Sequence, residues 1–174
     1  MAPELTDALC TKCGLCCDGS LFADVELASS AEVTGLEILG LDVEDDDANA
    51  GLLSLPCRAH VGRLCAIYAH RPKCCRTFEC GLLQDAREGT VGVERALEHI
   101  AEALEHTRRV RTLLVQLGEP NARLPLNERS AMALARDMTG RPGMRRKQTQ
   151  LEAAMTALEN RIQTTFLGRG APKA

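Results

Sequence analysis

At 174 residues and 18.8 kDa the chain is sized for one compact domain, or one domain with a small appendage. Hydrophobic residues at 45% and charged residues at 26% exclude a largely disordered chain, and a net charge of −3 supplies no basic field of the kind that holds nucleic acid. With aromatic residues at 2% and no Trp, the core has to be built from Leu, Ala, Val, Ile and Met.

The first nine residues carry Glu4 and Asp7 and no basic or long apolar run, so they do not read as a secretory signal. No run elsewhere approaches the roughly 18–20 apolar residues that cross a bilayer, and the expectation is a cytoplasmic chain without a membrane partner. Residues 1–20 read as a Cys/Gly loop without helical period. Ser29 and Glu32 have capping-box spacing, which predicts a short helix with Val33, Leu36 and Leu39 on one side and Gly40 as its stop. Residues 42–47 hold five acids in six positions but lack the glycine and terminal glutamate of a calcium loop, so they read as a solvated loop. Short apolar runs at 52–55 and 64–68, flanking Gly62, predict a small β-hairpin. Pro72 suits the start of a helical turn running towards Cys80, with Gly81 ending it.

The second half changes character. Thr90 can cap a helix to Leu117, stopped by Gly118 and Pro120, with Val93, Leu97, Ile100, Leu104, Thr107, Val110, Leu114 and Leu117 along one stripe. Asn127 can cap a shorter helix through Met138, closed by Gly140 and Pro142. A third helix, 144–167, carries Leu151, Met155, Leu158 and Ile162 and ends at Gly168. The predicted fold class is mainly α: an irregular, metal-organised, cysteine-rich N-terminal half with a short β-hairpin, then a C-terminal bundle of about three helices. The corresponding domains are 1–85, binding metal, and 86–174, helical and packed on or beside it.

All nine cysteines lie between Cys10 and Cys80, and residues 81–174 contain none. A cytosolic chain keeps its thiols reduced and an odd count leaves one thiol over, so metal binding is favoured over disulfides. The first cluster is Cys10-Thr-Lys-Cys13-Gly14-Leu-Cys16-Cys17. Two-residue spacing turns two thiolates onto one metal, as at the start of a ferredoxin site and equally in a zinc knuckle. Adjacent side chains diverge, so Cys16 and Cys17 seldom chelate one ion: either one is not a ligand or they serve separate metals. The second cluster, Cys57, Cys65, Cys74, Cys75 and Cys80, contains no second C-x-x-C knuckle. Its scatter suits a cluster of irons, whose corners are several ångströms apart, better than a single ion.

The combination C-x-x-C-G-x-C-C, Cys57, and Cys65-Ala-Ile-Tyr68-Ala-His70-Arg71-Pro72-Lys-Cys74-Cys75-Arg76-Thr-Phe78-Glu-Cys80 resembles the CxxCxxCC cysteine-cluster family of zinc- or iron-chelating domains. The resemblance covers roughly residues 10–85. It implies Cys10, Cys13, Cys16, Cys17, Cys57, Cys65, Cys75 and Cys80 as metal ligands, with Cys74 on a variable position. It implies an iron–sulfur protein, with one or two 4Fe-4S clusters, or zinc as the alternative, in a redox, metal-handling or structural role. Related cysteine clusters occur in a flagellin lysine methylase, but no nucleotide loop and no catalytic constellation stands outside the cysteines here. The other alternative is an interaction module whose C-terminal helices bind a protein.

The residues beside the thiols have two readings each. Arg71 and Arg76 either offset thiolate charge or pair with an acid such as Glu79. Tyr68 and Phe78 are expected to pack around the site and exclude water. His60 could replace a thiolate but reads first as a loop residue, His70 as exposed, and His99 and His106 as solvent-facing. The basic run 141–147 reads as a solvated helix start.

Overall fold

The computed structural model describes residues 5–46 and 50–168. More than half of the protein is helical, with a small antiparallel sheet, as the mainly α reading expects. The order begins α1 (Leu5–Cys13), β1 (Asp24–Glu26), α2 (Ser30–Ile38), β2 (Val43–Glu44) and β3 (Leu52–Ser54). There follow β4 (His60–Val61), β5 (Leu64–Cys65), α3 (Lys73–Thr77), α4 (Gly81–Arg87), α5 (Val93–Gln116), α6 (Leu126–Ala135) and α7 (Pro142–Ile162).

Helix α1 corrects the loop expected over residues 1–20. Only its Leu9 is buried, so the local pattern has no period; the helix forms because it packs on α4 and α5. Its last turn carries Cys10 and Cys13 three residues apart on one face, and Gly14 at φ +77° ends it.

The capping box at α2 is present. Ser29 Oγ accepts the Glu32 N–H at 3.3 Å, and Glu32 Oε2 accepts the N–H of Ala28 at 2.9 Å. The other oxygen, Oε1, accepts the Lys73 N–H at 2.6 Å, so one carboxylate caps two helices, α2 and α3. Of the predicted apolar side, Leu36 is buried and Leu39 is exposed.

The hairpin predicted around Gly62 is β4–β5, with His60 opposite Cys65 and Val61 opposite Leu64. Its two-residue turn, Gly62-Arg63, has φ of +55° and +79°, the combination that follows the twist of a tight hairpin. The run at 52–55 does not join it. Strand β3 instead lies between β1 and β2, Leu53 standing opposite both Val25 and Val43. The acidic loop is therefore interrupted by β2, and its last residue, Asp47, lies outside the described residues. Leu27, Leu36, Leu41, Leu53 and Ala59 form a small core here.

Gly81 opens α4 rather than ending α3, with Cys80 as the N-cap of α4. The glycine faces the backbone of Thr165 and Phe166, where a Cβ would stand 3.4 Å from a carbonyl oxygen. Helix α5 starts from Gly92 rather than Thr90, whose hydroxyl donates to the Asp85 carbonyl at 2.9 Å. Helix α6 starts after Pro125 rather than at Asn127 and ends before Met138, and α7 runs on into a wider turn over Gln163–Leu167.

Two cores follow from the helical stripes. Val110, Leu114, Leu117, Leu126, Leu151, Leu158 and Ile162 join α5, α6 and α7. Leu9, Leu15, Leu82, Leu83, Ala96, Ile100, Ala103 and Phe166 join α1 and α4 to α5. Each fully buried Leu or Ile contributes about 1.5–3 kcal/mol. His99, expected in solvent, is only 19% exposed and stands beside Glu102 with Nδ1 3.3 Å from Arg161, because α7 packs over that side of α5. His106 is half-buried as well.

Candidate metal centres

The nine thiols are free, and they come from five places: the end of α1, the turn after it, the segment around β4–β5, α3, and the N-terminus of α4. The turn after α1 is tied by Cys17 N–H and Asp18 N–H to the Gly14 carbonyl, at 3.0 and 3.1 Å. It is stitched to the second cluster by the Cys57 N–H, which donates to the Cys17 carbonyl at 2.9 Å.

The mutual influence of the thiols sorts them into two neighbourhoods. Burial pushes up Cys10, Cys13 and Cys16, and a charge on Cys80 adds to the rise in all three. Burial likewise pushes Cys17 up to about 12, but there the added charges are those of Cys57 and Cys65. Cys75 is raised first by its contact with Cys74, then by burial and by the charges of Cys17 and Cys57. One neighbourhood gathers Cys10, Cys13, Cys16 and Cys80 and the other Cys17, Cys57, Cys65 and Cys75, and the two adjoin where Cys17 also adds to the rise at Cys16. Each has its own backing: Cys13 and Cys80 pack on the α1–α4–α5 core, while Cys57 and Cys65 pack on the core under the sheet. Among the described residues, no group of three or more His, Cys, Asp or Glu side chains stands ready-placed around a single ion.

Backbone amides face several sulfurs. Leu83 and Leu82 N–H favour a thiolate on Cys80 at the start of α4, Ala59 and His60 N–H favour one on Cys57, and Leu15 N–H favours one on Cys13. Burial outweighs these donors in all three, so without metal Cys13, Cys57 and Cys80 hold their protons at neutral pH. A metal that displaces those protons supplies the charge the buried sulfurs lack, and eight soft donors suit zinc or iron. The donor set fits the group.

The Arg71 guanidinium lies 3.7 Å from the centre of the Tyr68 ring, and donates from Nε to the Tyr68 carbonyl at 3.3 Å and from Nη1 to the Cys75 carbonyl at 3.5 Å. Its charge eases the rise at both Cys10 and Cys17. Glu79 pairs with Arg87 at 2.9 Å, not with Arg71 or Arg76. Phe78 packs edge-on against Phe22 with ring centres 5.2 Å apart, whereas Tyr68 is 51% exposed and does not shield the site, since it serves as the platform for Arg71.

Two contacts had no local signal in the sequence. From its place in the hairpin His60 presses its ring against Gly14, with Nε2 buried and without a hydrogen-bond partner among the described residues; burial lowers its pKa. Asp18, next to Cys17, takes the Arg111 guanidinium from α5 on Oδ2 at 2.9 Å, with only 11% of its side chain exposed.

No helix among the described residues is long and apolar enough to cross a membrane. No curated protein and no solved structure matches the chain. Residues 9–96, just over half of the chain, match the family model CxxCxxCC, described as "Putative zinc- or iron-chelating domain". That span takes in all nine cysteines and ends just inside α5. The chain therefore belongs to the CxxCxxCC family of zinc- or iron-chelating domains.

Proposed function

We propose that the protein holds two metal centres, one on Cys10, Cys13, Cys16 and Cys80 and one on Cys17, Cys57, Cys65 and Cys75, and that each is an iron–sulfur cluster. The observation that carries this reading is that the consecutive residues Cys16 and Cys17 lean on different partners: the Cys17 carbonyl accepts the Cys57 N–H at 2.9 Å and its thiol is influenced by Cys57 and Cys65, whereas Cys16 is influenced first by Cys13 and Cys80 and only then by Cys17. Adjacent residues in a turn cannot easily serve one small ion, but they can serve two sites side by side. The iron–sulfur choice is supported by ligand spacing. The thiolates after Cys17 are isolated in sequence, and a cage of irons accepts ligands at wider corners than the roughly 2.3 Å reach of zinc to sulfur. When bound, such a cluster supplies one-electron chemistry; the protein supplies eight thiolates, amides facing the sulfurs, and the Arg71 charge. A redox or metal-handling role in the cytoplasm follows from this reading, with the helices α5–α7 as the face available to a protein partner.

The same two sets could hold structural zinc, with the sulfurs drawn inwards. The deciding measurement is iron, zinc and acid-labile sulfide per chain after purification without oxygen, with the visible absorption spectrum. The expected result is iron with sulfide, Cys16→Ser removing one centre, and Cys17→Ser or Cys75→Ser removing the other. Stoichiometric zinc without sulfide in a folded protein would replace the iron–sulfur part and leave chelation standing. Loss of the same single centre from Cys16→Ser and Cys17→Ser would overturn the division into two sets.

A further inference from the structure

We propose that the cleft between α2 and residues 69–76 docks an acidic segment of a partner protein that also brings an apolar side chain onto Ile38. None of α5–α7 lines this cleft, and the proposal does not depend on which metal the thiols hold.

The cleft has a volume of about 520 Å³ and is open to solvent. One wall is α2, which presents Ala31, Gly35 and Ile38 at helical spacing, with Leu39 at its end. Ile38 is 80% exposed and Leu39 45%, and Ile38 is the most exposed large apolar side chain among the described residues. A small molecule in the depression would leave that rim wet, whereas a protein segment laid along it covers the rim as well. Gly35 supports the same reading. It sits inside α2, where glycine costs roughly 0.5–1 kcal/mol relative to alanine, and a Cβ there would meet no atom within 4 Å. Packing within the described chain gives no reason for a glycine; a segment approaching closely from outside does.

The opposite wall is cationic. Residues 48–78 contain no Asp or Glu and carry Arg58, Arg63, Arg71, Lys73 and Arg76, in a chain whose net charge is −3. Arg71 and Arg76 line the cleft, and Glu32 is its one acid. Both Glu32 oxygens already accept backbone N–H groups, those of Ala28 and Lys73. Arg71 donates only to backbone carbonyls, and the Arg76 guanidinium has no hydrogen bond and no ion pair among the described residues. Carboxylates on an occupant answer these two guanidiniums while an apolar residue beside them covers Ile38. Nucleic acid would answer the charge and leave the isoleucine bare. Helix α3, which supplies Arg76, also carries Cys75, so a docked partner stands beside the second proposed centre.

The test uses the full chain loaded with metal and a short fluorescein-labelled peptide of glutamates carrying two leucines, read by fluorescence anisotropy. Binding is expected, weakened by salt, and on the order of tenfold tighter than for the same peptide with lysine in place of glutamate or serine in place of leucine. Gly35→Leu, which raises helix propensity and fills the cleft, should weaken binding on the order of tenfold, and so should Ile38→Ser and Arg76→Ser. Gly35→Leu and Ile38→Ser should keep the metal content and the far-ultraviolet spectrum of wild type, which separates loss of docking from loss of fold or of the metal centres. Absence of binding, equal affinity for the three peptides, or unchanged affinity in all three variants would overturn the proposal. Tighter binding of a labelled oligouridylate than of the glutamate peptide, lost in Arg76→Ser and kept in Ile38→Ser, would overturn it in favour of RNA.

Discussion

The Nε2 atom of His60 stands 2.7 Å from the point where a Cβ on Gly14 would lie. The glycine sits inside the first cysteine cluster and the histidine between Cys57 and Cys65, so this one contact joins the two neighbourhoods. Gly14 is constrained twice, by its φ of +77° and by the ring that fills the place of its side chain. Gly14→Ala is expected to lose about 1–2 kcal/mol from the left-handed backbone alone, and more from displacing His60. Chemical unfolding of the metal-loaded protein measures it. Adding His60→Ala should recover the steric share and leave the backbone share; a single variant as stable as wild type would show that the ring is not held there.

Asp18 and Arg111 are 93 residues apart in sequence and 2.9 Å apart in space. Their bond fixes the residue after Cys17 to the C-terminal third of α5. Asp18→Asn should cost about 1.5–3 kcal/mol, the range for a hydrogen bond to a charged group, at the low end because Arg111 is 43% exposed. The second set should bind metal more weakly while the far-ultraviolet helical signal holds. Unchanged affinity in a cobalt(II) titration would mean that the turn keeps its shape unaided.

The raised thiols give the metal-free protein a pH dependence of defined sign. Cys13 and Cys17, each pushed up to about 12 by burial from an ordinary value of 9.0, keep protons that the unfolded chain releases. Between those values the folded state binds more protons than the unfolded one, so stability falls as pH rises, by about 1.4 kcal/mol per unit for each such thiol. Metal-free protein should therefore unfold on moving from pH 9 towards 12, and metal-loaded protein should resist because its thiolates are already deprotonated. Urea midpoints across that range test both halves; a metal-free midpoint that rises with pH would contradict the burial argument.

Chelation separates the parts of the fold. Helices α5 and α7 share the core of Val110, Leu114, Leu151 and Leu158, which contains no cysteine, so most helical signal should survive removal of metal. Amide exchange near Cys13 and Cys75 should accelerate as the thiol sets lose their cross-links. Full protection at those two places after chelation would remove metal from the account of how this half folds.

What the sequence by itself determined lies in local pattern. The capping box at Ser29 and Glu32, the apolar stripe from Ile100 to Leu117, the glycine stop at Gly118 and the tandem Cys16-Cys17 act within one or two helical turns. What only the tertiary structure decided depends on partners far along the chain. Helix α1 has a single buried residue and exists because α4 and α5 cover it. Strand β1, three residues long, is too short to show an alternation and is defined by the Leu53 it faces. Gly81 starts a helix rather than ending one because the backbone of residues 165–166 packs against it. The division of the thiols that we propose would be of the same kind: spacing says that Cys16 and Cys17 diverge, but which distant sulfurs lie near each depends on the turn between α1 and β1. That turn is held by Cys57 through one hydrogen bond and by Arg111 through another, and neither partner is near it in sequence.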